Sequence, residues 1–154
     1  MLSVLDTMDV ASPPQNASPE LKKTTTTRRS PDHVFTLGIE EELQTSIKTG
    51  SGSLAKTQLL SVTLDPTYDT PKVLSDYAAF HHADPRIWTF ATGDEKDIDS
   101  LTRAFSVYRQ TEGGTISHGL ATALVNRDGV IERIWRGNAW TPAEVTEAIQ
   151  AGNK

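Results

Sequence analysis

Along the last two-thirds of the chain, the spacing of apolar residues alternates between the period of a strand and the period of a helix. Residues 59–64 form a compact apolar run that ends at Asp65-Pro66, which is typical of a buried parallel strand. Thr70-Pro71 then supplies an N-cap residue and a proline at the first helical position. Apolar residues follow at helical spacing: Val73, Leu74, Tyr77 and Phe80. The pattern predicts a strand followed by a helix.

The same alternation repeats once. Residues 88–92 are predicted to form a second short strand. Thr92 and Glu95 have the spacing of a capping box, so we expect the next helix to open there. Its apolar face would be Ile98, Leu101, Ala104 and Phe105.

The last part of the chain has the pattern of a hairpin and a closing helix. Residues 120–125 and 130–135 are predicted strands around the turn 126–129, where Gly129 suits a positive φ. Thr141-Pro142-Ala143-Glu144 combines an N-cap, a proline and a capping-box glutamate, so a helix is predicted from Pro142 to about Gln150. The order strand, helix, strand, helix, hairpin, helix indicates an α/β fold.

The segment before residue 57 has weaker patterns. Residues 11–32 are rich in Ser, Thr and Pro and bury too little apolar surface to offset the entropy of ordering. Residues 34–39 alternate well enough for a short strand, and 40–45 either extend it or form a helical turn. Residues 49–53 have the composition of a flexible linker. We therefore expect a disordered tail at 1–32, a strand plus linker at 33–56 and the main domain at 57–154.

Composition narrows the function classes. The chain has 154 residues, no cysteine and a formal net charge of -5. Thiol, disulfide and thiolate-metal chemistry are therefore excluded, and no basic surface is indicated for nucleic acid. No apolar run reaches the roughly 20 residues that span a bilayer, and the start lacks the features of a signal peptide. As it stands, the chain is expected to be cytoplasmic.

Several motifs in order resemble the Sco/SenC family over roughly residues 57–150. They are Leu59-Leu60-Ser61-Val62-Thr63-Leu64-Asp65-Pro66, Asp69-Thr70-Pro71, Trp88-Thr89-Phe90-Ala91-Thr92-Gly93, Ile116-Ser117-His118, Asp128-Gly129, Ile134-Trp135-Arg136-Gly137-Asn138 and Trp140-Thr141-Pro142. The family consists of thioredoxin-fold copper chaperones for respiratory oxidase assembly. The resemblance implies a non-enzymatic protein and a respiratory oxidase subunit as partner. It also implies an extracytoplasmic, membrane-anchored setting, which conflicts with the missing leader.

The resemblance also implies a copper site made of two cysteines in a C-x-x-x-C motif and one distant histidine. His118 occupies the histidine position, and the segment expected to carry the cysteines is replaced by residues 34–56. One ligand of three remains, and a lone imidazole does not hold a metal tightly. His118 is thus either the residual copper-ligand position or an ordinary polar group beside a strand. We expect an incomplete thioredoxin-like fold in which copper is not bound tightly.

Other residues with possible chemistry have structural interpretations. His81 and His82 are expected at a helix end, pointing to different faces and solvated. Asp65 and Asp69 are expected to serve the turn and cap after the first strand. Core or edge packing is expected for two of the three tryptophans, Trp88 and Trp135, and a staple before the last helix for Trp140.

Residues 35–44 (Phe-Thr-Leu-Gly-Ile-Glu-Glu-Glu-Leu-Gln) resemble the opening strand of the glutamate-cysteine ligase-like carboxylate-amine ligases, a likeness that spans about 33–54. Without it, Glu40, Glu41 and Glu42 form a solvated acidic run. The two likenesses suggest a fused reading frame, and an inert product of a damaged gene is the alternative to a Sco/SenC-like domain. The resemblance implies an empty place inside the sheet, which residues 34–39 are candidates to fill.

Overall fold

The computed structural model describes residues 2–6, 22–23, 31–112 and 115–152. Eight strands and four helices lie in the described part of the chain. The strands are β1 (Leu2–Asp6), β2 (Lys22–Lys23), β3 (Gln58–Val62), β4 (Trp88–Thr92), β5 (Arg109–Glu112), β6 (Thr115–His118), β7 (Ala121–Val125) and β8 (Ile131–Arg136). The helices are α1 (Pro31–Thr49), α2 (Pro71–Phe80), α3 (Glu95–Ala104) and α4 (Pro142–Ala151), with a short 3-10 helix at Leu54–Lys56.

Six strands form one mixed sheet in the order β2-β4-β3-β1-β7-β8. β3 and β4 run parallel, as expected for strands joined by the crossover helix α2. β1 is antiparallel to β3 and parallel to β7, and β7 pairs antiparallel with β8. β5 and β6 form a separate two-stranded hairpin. This hairpin carries His118 at its end.

Two apolar clusters pack on opposite faces of the sheet. One cluster joins α1, α2 and α4 to side chains such as Leu59, Trp88 and Leu124. The other joins α3 to Val62, Ala91 and Ala123. Because neighbouring residues of a strand point to opposite faces, a strand inside this sheet needs apolar side chains on both.

Most of the elements predicted after residue 57 are confirmed, and local chemistry explains their bounds. The Thr70 hydroxyl accepts from the Val73 amide at 3.3 Å and caps α2. Thr141 and Glu144 form the predicted capping box of α4. Gly129 has a φ of 76° in the turn between β7 and β8. These signals are short-range, so the sequence alone carries them.

The predicted strand at 34–39 is wrong, because these residues belong to the 19-residue helix α1. The buried positions Glu40, Leu43, Gln44 and Ile47 follow helical spacing, and Leu43 and Ile47 belong to the apolar core. The alternation at 34–39 is too short to outweigh that longer period. Pro31 at the start of α1 is compatible with a first helical turn.

The expectation that residues 34–39 fill the interior of the sheet is also wrong. β1 lies there, between β3 and β7. Its five residues, the two of β2 and Pro31-Asp32 of α1 are regular structure within the predicted tail. The rest of that predicted tail lies outside the described residues.

Two further differences concern α3 and the hairpin that follows. The N-cap of α3 is Asp94 without a side-chain cap bond, so the predicted Thr92–Glu95 capping box is absent there. The β5–β6 hairpin was not predicted, because its strands are polar and lack the apolar alternation of a core strand.

The candidate site around His118

The β5–β6 hairpin brings His118 to the carboxyl end of β3. Arg109 and His118 are paired across the hairpin. The Nε of Arg109 donates to the carbonyl oxygen of Leu64 at 2.7 Å, just beyond the end of β3. This bond attaches the hairpin to the main sheet close to His118, which is the last residue of β6.

Arg109 also ties the hairpin to α3. Its Nη1 donates to Asp99 at 2.6 Å and its Nη2 lies 3.0 Å from a Glu95 carboxylate oxygen. Only 7% of the Arg109 side chain is exposed, whereas both carboxylates are partly solvated. A planar guanidinium with several fixed donors suits such a three-way contact. Arg109 is a structural clamp that sequence reasoning missed.

The imidazole of His118 is half-buried, and its Nδ1 lies 3.1 Å from the carbonyl oxygen of Gly119. A carbonyl oxygen only accepts, so Nδ1 carries the proton of the neutral ring and Nε2 carries the lone pair. Burial lowers the pKa of His118 below its ordinary value, and the bond to Gly119 opposes that shift in part. The neutral ring is the form that can ligate a metal.

Asp65 and Asp69 serve the turn after β3, as predicted. The amide of Tyr68 donates to Asp65 Oδ1 at 3.2 Å, and the amide of Asp69 donates to the Asp65 carbonyl at 2.8 Å. The Thr63 hydroxyl donates to the Asp69 carboxylate. Burial raises the pKa of Asp69, the Thr63 bond lowers it, and the nearby charge of Asp65 raises it further. These contacts have a structural purpose that needs no metal.

The residues at this end do not match a thiolate-imidazole copper site. The chain has no cysteine, and His118 is the imidazole that the hairpin presents here. Among the described residues, no group of three His, Asp or Glu side chains has the geometry to hold a metal ion. Soft copper ions prefer thiolate and imidazole ligands to the carboxylates of Asp65 and Asp69. The described residues at this end therefore do not fit a thiolate-imidazole copper site.

His81 differs from its predicted solvated state. It is buried, with 6% exposure, and its Nδ1 lies 2.6 Å from Glu41 Oε1 on α1. Its ring packs edge-on against Tyr77 and Phe80 with centroids 4.5 and 5.0 Å apart. His82 is exposed, as expected, and has a φ of 51°. The two neighbours do point to different faces.

The acidic run on α1 is also only partly solvated. Glu40 is fully buried, Glu41 is half-buried against His81, and Glu42 is exposed. One turn on, the side-chain oxygen of Gln44 accepts from the Asp84 amide at 2.6 Å and its nitrogen donates to the His82 carbonyl at 3.3 Å. These polar residues connect α1 to the end of α2. The helical spacing of these residues in the sequence predicts a helix. The interpretation of residues 34–39 as a short strand did not take that spacing into account.

The three tryptophans are buried. Trp88 donates its indole N–H to the Ser61 hydroxyl at 2.9 Å inside the sheet. Trp135 lies under the Arg133 guanidinium, 4.8 Å from the ring centroid. Trp140 and Val145 belong to the same core cluster, at the N′ and N4 positions of a hydrophobic staple. The packing roles predicted for all three are confirmed.

The sequence model of the SCO1/SenC family matches residues 37–152. The matched part covers every element from within α1 to α4. This chain belongs to the SCO1/SenC family. The match begins inside α1, so it includes most of the segment that resembled a carboxylate-amine ligase, and no comparison supports that second likeness. Comparison with curated proteins gives no match.

Solved structures confirm the Sco, thioredoxin-like fold. A SCO1/SenC family lipoprotein from Bacillus anthracis str. Ames has a TM-score of 0.72 at 17% identity, covering 97% of this chain and 80% of that one. ScoI of Arabidopsis thaliana with copper bound gives 0.67 at 17% identity, covering 96% and 80%. ScoI of Bradyrhizobium japonicum with copper bound gives 0.62 at 17% identity, covering 97% and 83%.

None of the helices in the described segments is long and apolar enough to cross a membrane.

Proposed function

We propose that this protein acts in respiratory oxidase assembly through the Sco/SenC scaffold and its surface, without the copper chemistry of two thiolates and a histidine. The observation that carries the proposal is the position of His118. A clamp holds its hairpin at the carboxyl end of β3, in a chain that has no cysteine. The proposed activity is non-enzymatic.

Copper is expected to bind only weakly. A single imidazole lacks the chelate geometry that several converging ligands provide. The copper-bound state of the two ScoI structures belongs to those proteins, and the ligand set of this chain does not reproduce a thiolate site. Weak binding at the Nε2 of His118 is compatible with its neutral ring.

A partner surface is available around the same end of the sheet. Tyr68 follows β3 in a turn and is 44% exposed, and Tyr108 precedes the hairpin and is 55% exposed. The amide of Gly119, next to His118, donates to the carbonyl of Tyr108 at 2.8 Å. Tyrosines are enriched at protein interfaces because they bury a large ring and keep a polar tip. We propose that these tyrosines contact the oxidase subunit.

Copper binding is tested by anaerobic titration of the purified chain with Cu(I) in competition with a chromophoric chelator. The wild-type chain, His118→Ala and the matched control His82→Asn are expected to give the same curve, with no step at one equivalent. Asparagine is chosen at position 82 because it tolerates the positive φ there. A stoichiometric step that His118→Ala alone removes would contradict the proposal.

Partner contact is tested by measuring binding to the soluble domain of a respiratory oxidase subunit. Tyr108→Ala is expected to weaken binding about tenfold or more, as removal of a buried interface aromatic does. Val130→Ala is the control, because Val130 is equally exposed but lies in the β7–β8 turn at the opposite end of the sheet. Equal effects of the two substitutions, or no binding by the wild-type chain, would contradict the proposed surface.

A further inference from the structure

The interior position of β1 depends entirely on partners that are distant in sequence. Residues 2–6 pair with residues 58–62 on one side and 121–125 on the other. Without β1, the six-stranded sheet separates into β2-β4-β3 and β7-β8, each with an unpaired edge. Unpaired interior edges are strong templates for another strand. The space between β3 and β7, here called the strand slot, therefore requires an occupant.

In the observed register, the polar and apolar residues at positions 2–5 of β1 pair with residues of the same kind in β3 and in β7. Leu5 lies between Leu59 and Leu124, which are both in the buried cluster under α1, α2 and α4. Ser3 lies between Ser61 and Thr122, both buried and polar. Paired residues share a face of the sheet, so apolar and polar positions coincide across three strands on this face.

The opposite face has the same agreement. Val4 lies between Leu60 and Ala123, and Leu2 lies between Val62 and Ala121. The four flanking residues belong to or pack against the second core cluster. A slip of one residue would set the polar position Ser3 opposite apolar positions of β3 and β7. The slot thus selects the sequence Leu-Ser-Val-Leu in one direction and one register.

The tether between β1 and the rest of the chain is long. Residues 7–30 connect β1 to α1, and the intervening strand β2 pairs with β4 at the far edge of the sheet. Even residues 7–21 alone have a maximum span of roughly 50 Å at about 3.3 Å per residue. A domain of this size is about 30 Å across, so the tether is long enough for residues 2–6 to reach another molecule.

We propose that the strand slot is an acceptor site for Leu2–Asp6 of a second copy of this chain, so that two chains exchange β1 reciprocally. The exchanged dimer keeps every pairing of β1 with β3 and β7, because the same strand enters the same slot in the same register. No new interface chemistry is needed. The intramolecular strand competes through its effective concentration, so exchange is favoured at high protein concentration.

The first experiment refolds the full chain over a range of concentrations and measures molecular mass by light scattering. The wild-type chain is expected to give a growing dimer fraction with concentration. The matched variant Ser3→Leu/Leu5→Ser keeps the composition and reverses the polarity on one face, and at least tenfold less dimer is expected. Equal dimerisation of the two chains, or a strictly monomeric wild-type chain, would overturn the proposal.

A second experiment stays informative if the double variant fails to fold. Full-length Val4→Pro removes an amide that an interior strand needs, whereas Val4→Ala retains it. The probe is a fluorescent synthetic peptide of residues 1–10, with a control peptide in which Ser3 and Leu5 are exchanged. The first peptide is expected to bind Val4→Pro at least tenfold more tightly than the control peptide and to restore cooperative unfolding. Equal binding of both peptides, or none, would overturn the acceptor site.

Discussion

The two ends of the central sheet each carry a histidine and an aspartate, and they use them differently. At the carboxyl end of β3, His118 is half-buried and bonds to a backbone carbonyl, and the half-buried Asp69 lies in the turn that follows β3. At the amino end, His81 is buried against Glu41 and two aromatic rings. Asp84 at that end is bound by Arg86 through two contacts of 2.9 and 2.6 Å.

The polar residues at the two ends of the sheet therefore have different relations to the family's metal chemistry. The end with His118 is where the family resemblance places metal chemistry, yet its polar residues serve a clamp and a turn. The other end attaches α1 to α2 through side-chain pairs that bridge two helices. We therefore expect His81, which lies outside the family position, to contribute more to stability than His118 does.

The largest expected effect on stability concerns α1, which contributes side chains to the apolar core. Leu43 is fully buried in the cluster shared by α1, α2 and α4. Leu43→Ala is expected to lower the free energy of unfolding by about 3 kcal/mol through the lost transfer energy and the residual cavity. Val130→Ala, at an exposed turn, should change it by less than about 0.5 kcal/mol. Urea unfolding measures both, and a small effect of Leu43→Ala would show that α1 is only loosely attached.

The next effect compares the two histidines directly. His81→Ala removes a buried pair with Glu41 and two edge-on ring contacts, so a loss of about 2–3 kcal/mol is expected. His118→Ala removes one backbone bond from a half-buried ring and should cost about 1 kcal/mol. Urea unfolding at pH 6 gives both values. A larger loss of stability for His118→Ala than for His81→Ala would contradict the greater structural role of His81.

The smallest effect is a difference in pH dependence between the two aspartates. The pKa of Asp84 is lowered by its bonds to Arg86, so its contribution to stability is present above pH 4 and is lost as pH falls through the lowered pKa. Burial raises the pKa of Asp69, so its ionised form opposes folding and stability from this group increases as pH falls toward 4. The two carboxylates therefore act with opposite signs.

Unfolding measured from pH 3 to 7 distinguishes them. Asp84→Asn should be less stable than wild type at pH 7, and the difference should shrink toward pH 3. Asp69→Asn should retain an acceptor for Thr63 and lose the gain in stability that is expected of the wild type as pH falls from 7 toward 4. If Asp69→Asn keeps the wild-type pH profile, ionisation of Asp69 does not shape the stability of the protein in this pH range.

Elements with local signals were predictable from the sequence. The α2 and α4 caps at Thr70 and Thr141, and the Gly129 turn, depend on contacts within a few residues. Position in the family pattern likewise identified His118, but only the structure gives its hydrogen bond and its hairpin. Sequence reasoning thus proposed His118 as a candidate without its surroundings, and its metal role stays a prediction.

The remaining features depend on contacts that are distant in sequence. Arg109 reaches Leu64 across 45 residues, and Glu41 reaches His81 across 40. β1 was missed because Leu2–Asp6 is a short run whose meaning comes from residues 58–62 and 121–125. Its five residues have no turn or cap to mark them. The segment is recognisable as an interior strand only when its polar and apolar residues are aligned with those of β3 and β7.

We propose that His118 of this Sco/SenC scaffold does not belong to a tight copper site. The most direct measurement follows the imidazole signals of His118 and His81 by two-dimensional proton–nitrogen NMR during anaerobic addition of Cu(I). Small, gradual shifts of His118 in fast exchange, continuing far beyond one equivalent with His81 unchanged, are predicted. Slow exchange of His118 that is complete at one equivalent would instead show a tight copper site at His118.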